Sequence, residues 1–331
     1  MIIRLLSLLC CLGLGLAQPA LAACSGNDLR QSLGPEEQSR LDAEIRGTPF
    51  AQGNHWKATR GTSTLHLIGT MHLADRRLDG PVSRLRDTIE SAELLLLEMT
   101  NEDEIALQDR LMTDPSLLLM PDATLPELLD AAQWDQMSEA LNARGLPPFM
   151  AARFQPWYVS VLLAIPPCVS ETDLSEGGMD ARIEEIATAA GIPRAALEDV
   201  ETIFAAFAEQ PRAVQIDMML SALVDPAISE DLFATLLASY FDEAAAEGWA
   251  MSSILAERYS PIAAETAADI FDTMEQELLI DRNRAWIPVL LEATQAHDTI
   301  IAAFGAAHLP GQDGVLALLE AEGFTLERLP F

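Results

Sequence analysis

Two of the five histidines in this 331-residue chain close the same short pattern. In "LHLIGTMHLAD" and "IIAAFGAAHLPG" an apolar run ends in Gly-x-x-His-Leu, giving Gly69 with His72 and Gly305 with His308. Two acids fall at comparable places, Glu98 closing "LLLLE" and Glu198 closing "RAALE". Neutral imidazoles and a carboxylate form the ordinary ligand set for Zn²⁺, Mn²⁺, Fe²⁺ or Co²⁺, with positions left open for water and substrate. An ion held in that way activates water near neutral pH and polarises a carbonyl. Gly69 and Gly305 are expected to let the backbone turn sharply off each strand, so that the imidazole points back over the sheet edge. The plainer reading is that each histidine caps a helix or fills a strand corner, with Glu98 a buried strand-end acid satisfied by an arginine.

The elements that must position these residues read as α/β. "HWKATRGTSTLHLIGT" gives a strand, a Gly-Thr-Ser turn and a second strand. "PVSRLRDTIESA" has helical spacing with Pro81 at its start, and "ELLLLEM" is an apolar run of strand length. Residues 101–173 are helical with breaks at "TDPS", "MPDATLPE" and "GLPPFM", and 179–190 form a helix stopped by Gly191 and Pro193. "PRAALED" is a short strand, "ETIFAAFAEQ" opens a helix, and 212–295 are largely helical and acidic. "TIIAAFG", "GQDGVLALLEAEG" and "FTLERL" close the chain as strand, helix and strand. The expected architecture is a single α/β domain over 23–331: a central mixed sheet flanked by helices, with large helical insertions at about 101–173 and 212–295. In open sheets of this kind ligands bind at the carboxyl ends of the strands, where His72, Glu98, Glu198 and His308 all fall.

Half of the residues are hydrophobic, enough for a sizeable core. The formal charge is −31 and Lys57 is the only lysine, which argues against nucleic acid or an anionic membrane surface as partner. Residues 1–22 read as a signal peptide: Arg4, an apolar run from Leu5 to Ala17, Pro19, then Ala20-Leu21-Ala22 as a small-x-small cleavage site. That run is shorter than the roughly 20 residues that span a bilayer, and no transmembrane segment follows. The expected location is exported, periplasmic. Cys10 and Cys11 leave with the leader, so Cys24 and Cys168 are expected to pair as a disulfide in an oxidising compartment. The alternative is a lipoprotein box at "LAAC", with Cys24 a lipid anchor.

Taken together, "LHLIGTMHLAD", "LLLLEM", "LIDRNRAW" and "AAFGAAHLPGQDGVLALLEAEGFTLERL" resemble the TraB/GumN family, related to the Tiki Wnt-cleaving metalloproteases, over about Asn54 to Leu329. The resemblance implies a metal-dependent hydrolase in which His72, Glu98 and His308 hold a divalent ion such as Mn²⁺ or Co²⁺, with Zn²⁺ also open. It implies a site-steadying or oxyanion-steadying role for Arg282-Asn283. It also matches Gly178-Met179-Asp180 to a Gly-hydrophobic-Asp motif and Leu197-Glu198 to a Leu-Glu pair. Glu198 is left open as ligand, general base or supporting group.

Other candidates read more plainly. His66 is expected to be a half-buried strand histidine, His55 and His297 to be solvated, and Trp157 and Trp286 to be core anchors. There is no His-Glu-x-x-His helix, no Gly-x-Ser-x-Gly elbow, no P-loop and no Gly-x-Gly-x-x-Gly. The leading expectation is an exported metallopeptidase acting on a peptide or protein substrate. Its rivals are a non-catalytic envelope protein binding a metal, haem or peptide, and a purely structural role.

Overall fold

Six strands make one mixed sheet in the order β4-β3-β5-β2-β1-β6. They are β1 (His55–Arg60), β2 (Ser63–Thr70), β3 (Leu94–Leu97), β4 (Arg194–Ala196), β5 (Thr299–Gly305) and β6 (Thr325–Arg328). The structure is a computed structural model and describes residues 24–169 and 177–331. The leader expected at 1–22, and the end of the helical stretch expected to reach 173, lie outside the described residues. No helix among the described residues is long and apolar enough to cross a membrane.

The α/β expectation holds, and the register shows why the sheet gathers a site. β1 and β2 form an antiparallel hairpin around Gly61, whose φ of 63° suits the tight reversal between Arg60 and Ser63. β2, β5, β3 and β4 run parallel to one another, so Thr70, Gly305, Leu97 and Ala196 end on one edge. The two strand–helix–strand units interlock, because β5 inserts between β2 and β3. Strand β5 can occupy the centre because its apolar residues serve both faces. Ile300, Ala302 and Phe304 pack toward Trp286 and Leu290 of the helix Asp281–Ala296. Ile301 and Ala303 pack toward the helices Asp79–Glu90 and Met179–Ala190.

Two further apolar clusters lie outside the sheet. One joins Met120, Leu125, Met137, Leu141, Val159 and Met219 in the helical region between β3 and β5. The other seats Leu29 and Leu41 of the N-terminal segment on Met251 and Leu255. Cys24 and Cys168 are bonded, with Cα atoms 5.1 Å apart across a sequence separation of 144. Trp157 and Trp286 are buried, as expected of core anchors.

Candidate functional site

Each candidate side chain reaches the shared strand edge by a different route. His72 follows β2 by two residues, Glu98 is the first residue beyond β3, and Glu198 lies two beyond β4. His308 ends a short 3₁₀ turn, Ala306–His308, that follows β5 directly. Arg282 and Asn283 come from above, on the first turn of the helix Asp281–Ala296. Between that helix and its predecessor, Ala264–Glu275, runs a five-residue π turn, Gln276–Ile280. Such turns shift the register of the side chains that follow and are frequent at functional sites. Here Arg282 donates through Nη1 to the Leu278 carbonyl inside that turn, at 3.0 Å.

The convergence centres on Glu98. Its Oε1 lies 4.0 Å from His72 Nε2 and 4.0 Å from His308 Nε2, and it accepts the Gly305 N–H at 2.6 Å. Its Oε2 accepts from Arg282 Nη2 at 2.6 Å. Arg282 also donates through Nε to Glu198 Oε1 at 2.8 Å, and its Nη1 lies 3.4 Å from His308 Nε2. The far side of each imidazole is held by an acceptor. His308 Nδ1 faces Asn283 Oδ1 at 2.7 Å, while the Asn283 amide nitrogen donates to the Asp313 carbonyl at 2.9 Å. That second bond fixes the amide orientation, so His308 carries its proton on Nδ1 and a lone pair on Nε2. His72 Nδ1 faces Asp180 Oδ2 at 2.9 Å, and the Thr70 hydroxyl donates to Asp180 Oδ1.

The glycines of the two motifs work differently from the sequence expectation. Neither Gly69 nor Gly305 has a positive φ, so neither is needed for a left-handed turn. What they supply is room. A Cβ on Gly69 would come within 2.7 Å of Leu309 Cδ1. A Cβ on Gly305 would stand 3.4 Å from Glu98 Oε1, 3.6 Å from His308 Cδ2 and 3.8 Å from His72 Nε2, in the space between the three donors. Gly178 is also required for close approach. A Cβ there would lie 2.1 Å from the Met71 carbonyl oxygen, and Met179 N–H bonds that oxygen at 2.8 Å, bringing Asp180 up to His72.

Burial alone would raise the Glu98 carboxyl, but the two imidazoles, the Arg282 guanidinium and the Gly305 N–H outweigh it and hold it at about 2. Burial drives His308 down to about 3, so its imidazole is neutral. The Asp180 charge raises His72 to about 10, although 64% of its side chain is open to solvent that screens part of that field. Arg282 stays charged: burial works against its guanidinium, and Glu198 and Glu98 more than compensate. Glu198 keeps one oxygen, Oε2, buried with no partner among the described residues.

The fit to a metal ion is good in ligand type, requires His72 to give up the proton that Asp180 stabilises, and is loose in spacing. Both Nε2 atoms face a charged carboxylate, with their other nitrogens fixed by oxygens, the supporting pattern typical of ligand histidines. Among the described residues, however, no group of three or more His, Cys, Asp or Glu side chains is placed to hold an ion as it stands. Ligands at about 2.1 Å from one ion lie roughly 3–3.5 Å apart, so the 4.0 Å separations must shrink by roughly half to one ångström.

The remaining histidines stay outside this cluster. His66 is half-buried on β2, as expected. His55 is not solvated: it is 4% exposed, with Nδ1 donating to the Pro330 carbonyl at 3.1 Å and Nε2 facing His66 Nδ1 at 3.1 Å. The final strand β6 pairs with β1 and carries the chain end over His55, which no local pattern foretells. His297 is half-exposed, 3.7 Å from Glu93. Asp180 is the residue the chemistry-first reading passed over, and its only sequence signal is the Gly-Met-Asp motif.

The family model described as the TraB/PrgY/gumN family matches residues 54–328, and the chain belongs to that family. No curated protein matches the chain.

Proposed function

We propose that this family member is an exported metal-dependent hydrolase acting on peptide or protein substrates. The observation that carries the reading is the approach of two acceptor-braced imidazoles, His72 and His308, to one oxygen of a buried, ionised Glu98. Those three residues would hold a divalent cation, Mn²⁺, Co²⁺ or Zn²⁺. Bound there, it would supply Lewis acidity toward a water molecule and the substrate carbonyl.

The chain's own groups do the rest. Asp180 and Asn283 hold the two imidazoles in orientation. Arg282 places a fixed positive charge beside the carbonyl oxygen that becomes negative as water adds. Glu198 Oε2, buried and without a partner among the described residues, takes the proton from the attacking water and returns it to the leaving nitrogen as the C–N bond breaks. The leader-like first 22 residues and the Cys24–Cys168 bond support export to an oxidising compartment.

One observation favours a second reading, a non-catalytic envelope protein that binds a metal, haem or peptide. Arg282 spends its guanidinium on Glu98, Glu198, Leu278 and His308, leaving the donors wider than a closed coordination shell. Titrating wild type, His72→Ala and His308→Ala with Mn²⁺, Co²⁺ and Zn²⁺ by calorimetry tests both readings. Equal affinities in all three proteins remove the metal site. Binding that depends on the histidines, but without turnover of a broad peptide library, supports the second reading over the first.

A further inference from the structure

β4 is an edge strand, and its outward side is unpaired. Its bonds to β3 are bracketed by Leu95 N–H to the Pro193 carbonyl at 2.9 Å and Leu197 N–H to the Leu97 carbonyl at 2.7 Å. In a parallel ladder alternate residues turn both backbone groups to one neighbour, so Pro193, Ala195 and Leu197 serve β3 while Arg194 and Ala196 face away. Among the described residues, nothing bonds the N–H or C=O of Arg194 or Ala196.

These four groups border an open groove of about 610 Å³, whose opposite wall is formed by Thr100, Glu102 and Asp103. Arg194 reaches across it to Glu102 at 2.6 Å. Two residues beyond Ala196 stands Glu198, bonded to the same Arg282 that bonds Glu98. A strand rises about 3.3 Å per residue, so a segment paired with Ala196 draws level with Glu198 within two residues, one strand spacing of about 4.8 Å outside β4.

We infer that the substrate is an extended peptide segment that adds to the sheet along β4, bonding Arg194 and Ala196 through its main chain and carrying a basic side chain toward Glu102 and Asp103. The inference rests on the peptidase reading and names how that substrate is held. Main-chain pairing on a free edge supplies affinity with little demand on sequence. The walls supply charge selection: Glu102 pairs with Arg194 and Asp103 caps its helix through Thr100, so the wall keeps two negative charges against one positive. A second copy of this chain is a poor occupant, because edge-to-edge pairing would bring Glu102 and Asp103 of each copy together in a chain of net charge −31.

The probe is a fluorescein-labelled nonapeptide of alternating valine and lysine, with a second version N-methylated at every other residue so that one edge cannot donate. Anisotropy with the unaltered protein is expected to show the plain peptide binding at least tenfold more tightly than the methylated one. Hydrogen exchange is expected to slow at the Arg194 and Ala196 amides when the plain peptide is added. Ala196→Pro removes the outward N–H and is expected to weaken binding of the plain peptide about tenfold. Equal binding of the two peptides, absence of binding by either, or binding without protection at Arg194 and Ala196 overturns the inference. Protected binding without cleavage leaves the groove standing and removes the hydrolase reading. Cleavage with KM unmoved by methylation removes the groove and leaves the hydrolase.

Discussion

Asn283 holds His308 by a single bond whose direction is not free. The Asn283 amide nitrogen is committed to the Asp313 carbonyl, so its oxygen must accept from His308 Nδ1, at 2.7 Å. The lone pair on His308 Nε2, the one feature a metal or a proton needs, is therefore set from a neighbouring helix. Asp180 does the corresponding work for His72 from the opposite face of the sheet. Neither supporting residue is adjacent in sequence to the histidine it orients.

Asp180→Asn keeps the shape of that support and removes its charge. Metal affinity is expected to fall 10- to 100-fold, with the fold retained, as is usual when the group behind a ligand histidine is altered. Calorimetric titration with Mn²⁺ alongside circular dichroism checks it. Unchanged affinity would show that Asp180 is not coupled to a metal site.

Gly305→Ala tests the space between the donors. The added methyl meets its neighbours at 3.4–3.8 Å, ordinary contact distances, and Gly305 has a φ of −50° that alanine adopts readily. Stability is expected to change by less than about 1 kcal/mol in urea unfolding. Metal binding is expected to disappear, because the methyl occupies the position between Glu98, His72 and His308.

Arg282→Met leaves two buried carboxylates, Glu98 and Glu198, without their shared cation. Breaking a buried pair from one side costs about 3–5 kcal/mol, so chemical denaturation should show a loss of that order. Adding Glu198→Gln to Arg282→Met is expected to recover part of it. A double variant no more stable than the single one would mean that Glu198 is not a burden once Arg282 is gone.

Acid sensitivity should come partly from the His55–His66 pair, which lies outside the cluster around Glu98. Burial, followed by the neighbouring His55 and Lys57 charges, lowers His66 to about 4, and burial lowers His55 as well. The folded form thus binds fewer protons than the unfolded chain between about pH 6.5 and pH 4, and stability falls as pH drops through that window. His66 is half-buried and partly screened, so its share is on the order of 1–2 kcal/mol. Urea unfolding of wild type and His66→Gln at pH 7 and pH 4.5 is expected to show a smaller acid loss in the variant by about that amount.

Reducing Cys24–Cys168 opens a loop spanning 144 residues of sequence. Stability is expected to fall by about 2–4 kcal/mol, read as a lower Tm in dithiothreitol that Cys24→Ser reproduces without reductant. The first segment to lose protection in hydrogen exchange should be the one carrying Leu29, which bonds Thr235 through its backbone N–H.

Much of the fold was legible because its signals are local. "TIIAAFG" is uniformly apolar and must be buried on both faces, "PVSRLRDTIESA" repeats at helical spacing, and Gly61, Gly191 and Gly323 mark reversals. The candidate ligands were legible for the same reason, since His72, Glu98 and His308 each directly follow a run of strand character. The exposure of His55 was misjudged because its cover is the chain's own end, carried there by β6. The glycines were assigned to turning when their use is clearance, which depends on atoms from distant segments.

The sequence by itself determined the elements, their type and the place where each chemically able residue leaves its strand, because these follow from spacing along one chain. It did not determine that β5 lies between β2 and β3, that a π turn aims Arg282 at two acids, or that Asp180 and Asn283 brace imidazoles from opposite faces of the sheet. Those relations join residues more than twenty positions apart, and some more than a hundred. They are fixed by which apolar faces bury each other, a choice made only when the whole chain packs.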